Sequence, residues 1–215
     1  MRSEMTKSIL ASFLFLLLCG DLPLETVQGA EEASATSTVP NTTAQTPAPQ
    51  PASPSSGLVP HPLPEIHGSI LLPKDWTLLP GKLLEGDVLL ATREKIASEN
   101  DPWTTGLSMT IDRNGAKDSG QKASEYALGL AREAREKAGD EASPLKESDS
   151  GGFHEIRFDF PVAGDPPLIV TEILRANNST GTLVVILWQS TKEESTKLQG
   201  LREQILSGLK LDPNQ

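Results

Sequence analysis

The sequence predicts an α+β domain, a layered sandwich in which an antiparallel sheet is flanked by two helices. Three observations favour this class. Short segments of alternating apolar and polar residues recur between turn signals after residue 65. Two longer segments carry apolar residues at helical spacing. The connections are short enough for antiparallel pairing, and the strand–helix–strand alternation of a doubly wound nucleotide-binding fold is absent from the pattern.

The first 29 residues have the composition of a secretory signal peptide. Arg2 and Lys7 precede an apolar run at residues 9–18, which is shorter than the roughly 20 apolar residues that a membrane-spanning helix needs. Val27 and Gly29 place small residues where a signal peptidase requires them, so we expect cleavage after Gly29, with an earlier cut as the alternative. The mature chain is then predicted to have no membrane span and to be secreted or periplasmic.

Cys19 is the only cysteine of the 215 residues, which excludes an intrachain disulfide framework and a multi-cysteine zinc site. The alternative to a removed signal peptide is an envelope lipoprotein that is acylated at Cys19. Leu18 stands before this cysteine, where bacterial lipoboxes carry a small residue. We therefore interpret Cys19 as part of the removed signal, which leaves the mature chain without a thiol.

Residues 30–64 are rich in Ser, Thr, Pro, Ala and Gln and contain few large apolar side chains. Such a composition cannot bury enough surface to offset the entropy of ordering the chain. We interpret this stretch as a disordered linker, and residues 65–215 as a single folded domain.

The folded part is predicted to begin with four strands. GSILLP and DWTLLPG form a hairpin-like pair with its turn at residues 73–75, and residues 87–93 form a third strand. In residues 105–112 Leu107, Met109 and Ile111 alternate with polar residues, which indicates a half-buried strand. A helix is then predicted from Gly120 to Ala138, with an alanine-rich apolar stripe.

Four further strands and a closing helix complete the pattern. The strands are predicted at residues 143–150, 153–162, 168–175 and 182–189. The last of them, TLVVILWQ, is apolar on both faces, which is typical of a strand in the middle of a covered sheet. Thr191 and Glu194 form a capping box before a helix whose apolar stripe is Leu198, Leu201, Ile205 and Leu209.

This order of elements resembles the PsbP/Mog1-like superfamily. The resemblance covers about two thirds of the chain and is carried by LLPKDWTLLPG, by the helix ASEYALGLAREARE, by the strands FHEIRFDF, LIVTEILR and TLVVILWQS, and by the closing helix. It implies a binding or assembly module more than an enzyme. Members of the superfamily include extrinsic subunits of the oxygen-evolving complex and Ran-binding proteins, and an export signal makes a Ran-binding role a poor fit.

The charge balance excludes some partners. The formal net charge is -10, whereas a nucleic-acid backbone or an anionic lipid surface requires a basic face. We expect no nucleic-acid partner. An envelope or extracellular protein of unknown identity is the predicted partner.

Motifs for chemistry are sparse. No nucleophile elbow, P-loop or dinucleotide-binding glycine motif follows a strand. His61 and His67 could form a loose metal pair, but zinc requires three or four rigid ligands, so we expect no metal and no cofactor. His154 lies beside Glu155, which points to the opposite face of the strand and cannot orient the imidazole.

His154 shares its strand face with Ile156, Phe158 and Phe160, so we interpret it as a residue of the core or its edge. The alternative is a secreted hydrolase that uses His154 and nearby carboxylates. Glu155, Asp159 and Glu172 would form such a cluster if the strand register brought them together. The default interpretation is an exposed sheet face on which these acids pair with Arg157 and Arg175.

Trp103 is the predicted contact residue for a partner. It lies in the loop sequence ENDPWTTG, and aromatic side chains contribute strongly to binding sites. Trp188, in the apolar strand, is predicted to belong to the core. The sequence thus predicts an exported, tethered, non-catalytic binding or assembly module that contacts its partner through the Trp103 loop and a polar sheet face.

Overall fold

The computed structural model describes residues 57–64, 67–81, 87–97 and 101–212. The predicted signal peptide with Cys19, and the predicted linker up to residue 56, lie outside these residues. Within the described ranges the strands are β1 (Leu58–Leu63), β2 (Gly68–Pro73), β3 (Thr77–Gly81), β4 (Asp87–Thr92), β5 (Gly106–Asp112), β6 (Lys146–Ser150), β7 (Phe153–Val162), β8 (Leu168–Asn177) and β9 (Thr182–Thr191). The helices are α1 (Gly115–Ser119), α2 (Ala123–Ala138) and α3 (Ser195–Gly208).

Seven of these strands form one antiparallel sheet in the order β3-β4-β5-β9-β8-β7-β6. Strand β9 occupies the centre, as the run of apolar residues on both of its faces predicts. Eight of its ten residues are buried, and Leu187 and Thr191 are half-buried. The predicted α+β class, an antiparallel sheet between two main helices, is confirmed.

The face of the sheet that carries Ile186 and Trp188 is covered by the β1–β2 hairpin and by α3. We call it the hairpin face. Its core contains Ile70, Leu72 and Ile205 together with these two β9 side chains. The indoles of Trp76 and Trp188 stack here with ring centroids 5.8 Å apart, so the prediction that Trp188 belongs to the core is confirmed.

The opposite face, which we call the α2 face, carries the side chains that alternate with those of the hairpin face. Helix α2 packs on it through Ala123, Ala127 and Ala131, each at most 2% exposed. Ile156 and Phe158 of β7 lie in the same cluster. The small alanine side chains let the helix axis approach the sheet closely, as the alanine stripe predicts.

Strand β1 lies inside the stretch that we predicted as linker, so that prediction is wrong for residues 58–63. The strand pairs with β2 along its full length, from Leu58 opposite Pro73 to Leu63 opposite Gly68. Pro60 and Pro62 are tolerated because β1 has a strand partner on one side only, where a missing N–H costs little.

The predicted hairpin between GSILLP and DWTLLPG is also wrong. The first of these strands, β2, pairs with β1, and the second, β3, pairs with β4 in the large sheet. The turn at residues 73–75 therefore connects two separate sheets.

Helix α2 begins at Ala123 and not at Gly120. The preceding residues form the short helix α1, which ends at Gly120 because this glycine adopts a left-handed conformation with φ of 70°. The closing helix begins at Ser195, three residues later than the capping box predicts. Thr191 Oγ1 donates to Glu194 Oε2 at 3.4 Å, but residues 192–194 form a turn and Glu194 is the N-cap. None of the helices in the described part of the chain is long and apolar enough to cross a membrane.

Candidate functional site

Residues 93–105, of which 98–100 lie outside the description, form the connection between β4 and β5. We call this segment the Trp103 loop. It returns to the sheet at Gly106, where a Cβ atom would lie 2.3 Å from the carbonyl oxygen of Ala91. Only glycine fits this close approach of two backbones, so Gly106 fixes where the loop ends.

Glu94 holds the two ends of the loop together. Its carboxylate accepts hydrogen bonds from Thr104 Oγ1 at 2.7 Å and from the backbone N–H groups of Thr104 and Thr105 at 3.2 Å each. Thr92 Oγ1 donates to the same carboxylate. Burial raises the pKa of Glu94, but the hydrogen bonds from Thr92 and Thr104 outweigh it and the pKa lies below 4.5. The carboxylate is therefore charged at neutral pH.

Gln189 provides a second attachment for the loop. Its amide Nε2 donates to the carbonyl oxygen of Trp103 at 2.9 Å, and the residue is only 3% exposed. Gln189 follows Trp188 along β9, so its side chain lies on the α2 face and the loop crosses that face. The indole of Trp103 remains half-buried. The backbone of residues 103–105 is thus held in place, and the side chain of Trp103 is partly open.

Glu172 lies on β8 with its side chain on the α2 face, opposite Phe158 of β7 and Leu187 of β9. It is fully buried, and neither carboxylate oxygen has a hydrogen-bond partner within the described part of the chain. Burial raises its pKa to about 8. At neutral pH the carboxyl group of Glu172 is therefore mostly protonated and uncharged.

The cluster of Glu155, Asp159 and Glu172 that the hydrolase alternative requires does not form. The first two lie on the hairpin face, whereas Glu172 lies on the α2 face, because it pairs with Phe158 and not with either acid. The cross-strand pair that we predicted between Arg175 and Glu155 is present, with Nε and Oε2 2.8 Å apart.

The polar part of the hairpin face is not open to a partner, contrary to our prediction. Helix α3 covers it with Arg202 and Glu203. Arg157 donates to both carboxylate oxygens of Glu203, at 2.6 and 3.1 Å. Arg202 Nη1 donates to Thr171 Oγ1 at 2.5 Å and lies 3.4 Å from Asp159. These charged groups stabilise the packing of α3 on the sheet.

His154 is on the predicted face, but its neighbours are not the predicted ones. Its Nδ1 lies 2.9 Å from Asp149 Oδ1 and its Nε2 lies 3.3 Å from Glu147 Oε2. Both carboxylates come from β6, the outer strand of the sheet. The imidazole side chain is 23% exposed, so His154 lies at the edge of the core, as predicted. The two acids of β6 beside it were not predicted.

The sequence did contain a signal for this contact. Gly151 and Gly152 both have positive φ, 59° and 84°, and a two-residue Gly-Gly connection is typical of a tight hairpin turn. That turn pairs Ser150 with Phe153 and therefore Asp149 with His154. The predicted strand bounds, 143–150 and 153–162, leave the same two-residue connection, but the register that follows from it was not predicted.

The geometry around His154 does not fit a hydrolase. A general base needs one ring nitrogen for an orienting group and the other for the nucleophile or a water, but carboxylates occupy both nitrogens. A surface depression of about 540 Å³ lies elsewhere, at the carboxyl end of α2. Its lining is Arg132, Arg135, Glu136, Gly139, Asp140, Pro144 and Leu145. No group of three or more His, Cys, Asp or Glu with metal-binding geometry occurs among the described residues.

The chain is similar to several solved structures. Cyanobacterial PsbP from Synechocystis has a TM-score of 0.47 and 10% identity, and the match covers 77% of this chain and 99% of that chain. The Ran-binding protein Mog1p of Saccharomyces cerevisiae has a TM-score of 0.43 and 11% identity, with 72% and 95% covered. LpqN of Mycobacterium tuberculosis, which is involved in cell envelope biogenesis, has a TM-score of 0.44 and 16% identity, with 74% and 87% covered.

No protein-family model matches the sequence, and no curated protein matches it either. The matched chains include a PsbP and a Mog1, the two names that appear in the predicted resemblance. At identities of 10 to 16% the likeness concerns the fold alone.

Proposed function

We propose that this chain is an exported, tethered, non-catalytic module that binds or assembles with an envelope or extracellular protein. The contact is made by the Trp103 loop. The export signal and the tether are the sequence predictions for residues 1–56, and the signal is removed without a lipid anchor at Cys19.

The observation that carries this proposal is the way the loop is held. Glu94 and Gln189 fix its backbone, while the indole of Trp103 stays half-buried. Tryptophan is enriched among the residues that dominate binding energy in protein interfaces. A loop that is ordered before binding loses less conformational entropy on association, so more of the contact energy appears as affinity.

The charged residues of the hairpin face and His154 have partners within the described part of the chain, which supports the loop as the contact surface. The arginines and acids of the hairpin face hold α3, and His154 is held by β6. The hydrolase alternative has one supporting observation, the contact of His154 with two carboxylates, and the occupied ring nitrogens argue against it. We therefore propose no catalytic step for His154.

The experiment that tests this proposal compares partner capture by the wild type and by Trp103→Ala in the native host. Phe153→Ala is the matched control, because Phe153 is another half-buried aromatic side chain and lies at the β6–β7 turn. We expect Trp103→Ala to lower capture by at least tenfold, about 1.4 kcal/mol, while its thermal unfolding stays close to that of the wild type. Equal capture by all three proteins would exclude the loop as the contact.

A further inference from the structure

The surface depression at the carboxyl end of α2 is lined by side chains of both charges. Arg132 and Arg135 contribute two guanidinium groups, and Glu136 and Asp140 contribute two carboxylates. With a volume of about 540 Å³, the depression has the size of a small-molecule site. It shares no lining residue with the Trp103 loop, so it is a feature separate from the proposed contact surface.

Hydrogen bonds hold the wall of the depression in place. Arg135 Nε donates to the carbonyl oxygen of Ser143 at 2.9 Å, and its Nη2 donates to that of Ala142 at 3.3 Å. The Ser143 N–H donates to the carbonyl oxygen of Asp159 on β7, and its Oγ accepts from the Asp159 N–H, both at 2.8 Å. The segment that follows α2 is therefore attached to the helix and to the sheet, and a ligand meets a site that is already ordered.

The two arginines keep hydrogen-bond donors for a ligand. A guanidinium group has five N–H donors, and Arg135 uses only Nε and Nη2 within the described residues. Arg132 lies one helical turn before it, on the same side of α2, and has no hydrogen bond or ion pair with a described residue. The planar fork of a guanidinium group matches the two oxygens of a carboxylate.

The opposite charges around the depression do not neutralise one another. In the part of the chain that the structure describes, no ion pair joins either arginine to Glu136 or Asp140, although all four side chains line the same space. The same helix does form such a pair outside the depression, where Lys137 Nζ and Glu133 Oε1 lie 2.7 Å apart. The depression therefore offers a cationic and an anionic group that a ligand can engage together.

We propose that this depression binds a small zwitterion, an α-amino acid with an apolar side chain. The two arginines bind its carboxylate, Glu136 and Asp140 bind its ammonium group, and Leu145 and Pro144 contact its side chain. A simple anion is a poorer fit, because the two lining carboxylates and the net charge of -10 repel it. A simple cation is a poorer fit as well, because it meets the two arginines.

Titration of the mature protein with L-leucine, followed by amide NMR, tests the site without any partner protein. The reporting amides are those of Gly139, Ala142 and Ser143 in the wall, and those of Ile173 and Ile186 in the core are the reference. We expect shifts at the wall amides that saturate with a dissociation constant of about 1 mM or lower, and none at the core amides. Wall amides that do not saturate, or core amides that shift equally, would overturn the site.

Three further probes separate the groups of the ligand. N-acetyl-L-leucine lacks the ammonium group, L-leucine amide lacks the carboxylate, and glycine lacks the apolar side chain. We expect each of them to bind more weakly than L-leucine, the first two by about tenfold or more. Binding of N-acetyl-L-leucine or of the amide that equals that of L-leucine would overturn the zwitterion, because one charge alone would then suffice. Equal binding of glycine would overturn the apolar contact.

Single substitutions assign the two charges to residues. Arg132→Gln should weaken the binding of L-leucine by about tenfold or more, whereas the matched control Lys137→Gln changes an exposed cation of α2 outside the lining and should bind like the wild type. Glu136→Gln should weaken the binding of L-leucine but not that of N-acetyl-L-leucine, because only L-leucine carries the ammonium group.

These substituted side chains are exposed, so thermal unfolding of the variants should stay close to that of the wild type. Affinity for L-leucine that is unchanged in Arg132→Gln or in Glu136→Gln would overturn the assignment. The titrations contain no partner protein, so their outcome is independent of the Trp103 contact, which partner capture tests.

Discussion

At the scale of single residues, two glutamates near the Trp103 loop show how the surroundings decide the charge. Glu94 accepts several hydrogen bonds and has a lowered pKa, whereas Glu172 accepts none within the described residues and has a raised pKa. As the pH rises, the contribution of Glu94 to stability therefore increases, whereas the contribution of Glu172 decreases.

For Glu172, we predict that wild-type stability falls relative to Glu172→Gln as the pH rises. The raised pKa means that the folded state holds a proton that the unfolded state has released above pH 4.5. The stabilisation is complete below that pH and is lost up to about pH 8, with a slope of up to about 1.4 kcal/mol per pH unit. Urea unfolding of both proteins from pH 4 to 9 measures the slope, and parallel curves would contradict it.

For Glu94, we predict that Glu94→Gln lowers the free energy of unfolding by about 1 kcal/mol at neutral pH, a value reduced because the carboxylate is partly exposed. The stabilisation is present above the ordinary pKa of 4.5 and is lost as the pH falls through the lower folded value. Thermal unfolding at pH 7 and pH 3 should thus show a difference that shrinks in acid. A difference that grows in acid would be contrary to this assignment.

At the scale of elements, helix α3 is held to the sheet by one enclosed and one exposed set of charges. Arg202, with a side chain 13% exposed, contacts Asp159 and Thr171. Arg93, with a side chain 40% exposed, contacts Glu194 at the start of the helix. We predict that Arg202→Met lowers the free energy of unfolding by about 2 kcal/mol, and that the matched variant Arg93→Met changes it by less than about 1 kcal/mol.

Chemical denaturation of these two variants beside the wild type gives the comparison. If both substitutions had the same effect, the enclosed charges would not stabilise the attachment of α3. The buried apolar side chains Ile205, Leu206 and Leu209 would then account for that attachment.

Elements with a strong pattern were predictable from the sequence. The central position of β9 follows from its two apolar faces, and the closing helix follows from its apolar stripe, although its capping box predicts a start three residues too early. Strand β1 was not predictable in this way, because VPHPL has prolines at alternate positions and lies in a proline-rich stretch. The partner of β2 was therefore missed, and β3 was assigned to it instead.

The site was less predictable than the fold, because register decides which side chains meet. The sequence left open whether Glu172 meets Glu155 and Asp159, and the pairing of β7 with β8 sets it opposite Phe158 on the other face. The alternation of β8 was known from the sequence. The strand register was not, and a shift of one residue exchanges the two faces.

At the scale of the whole molecule, the β1–β2 hairpin closes the core and also follows the predicted tether. It contributes Leu63, Ile70 and Leu72 to the hairpin-face core. Ser69 and Lys210 exchange backbone hydrogen bonds at 3.0 and 2.8 Å, which joins the hairpin to the segment after α3. The β1–β2 hairpin thus lies on the hairpin face, and the Trp103 carbonyl is held on the α2 face by Gln189.

We predict that a chain shortened to begin at Gly57 unfolds at the same temperature as the mature protein, because β1 remains. A chain that begins at His67 loses β1 and exposes Ile70 and Leu72, so it should lose several kcal/mol of stability or fail to fold. Differential scanning calorimetry of the two chains tests the boundary. Equal stability would mean that the hairpin is not part of the folding unit.

The most direct test of the loop as the contact surface is site-specific photo-crosslinking in the native host, with a photoreactive aromatic residue in place of Trp103. The same residue in place of the exposed Glu141 is the control. The account predicts that position 103 forms a discrete crosslinked product with one envelope or extracellular protein and that position 141 forms none. Crosslinking to that protein from position 141, with none from position 103, would contradict it.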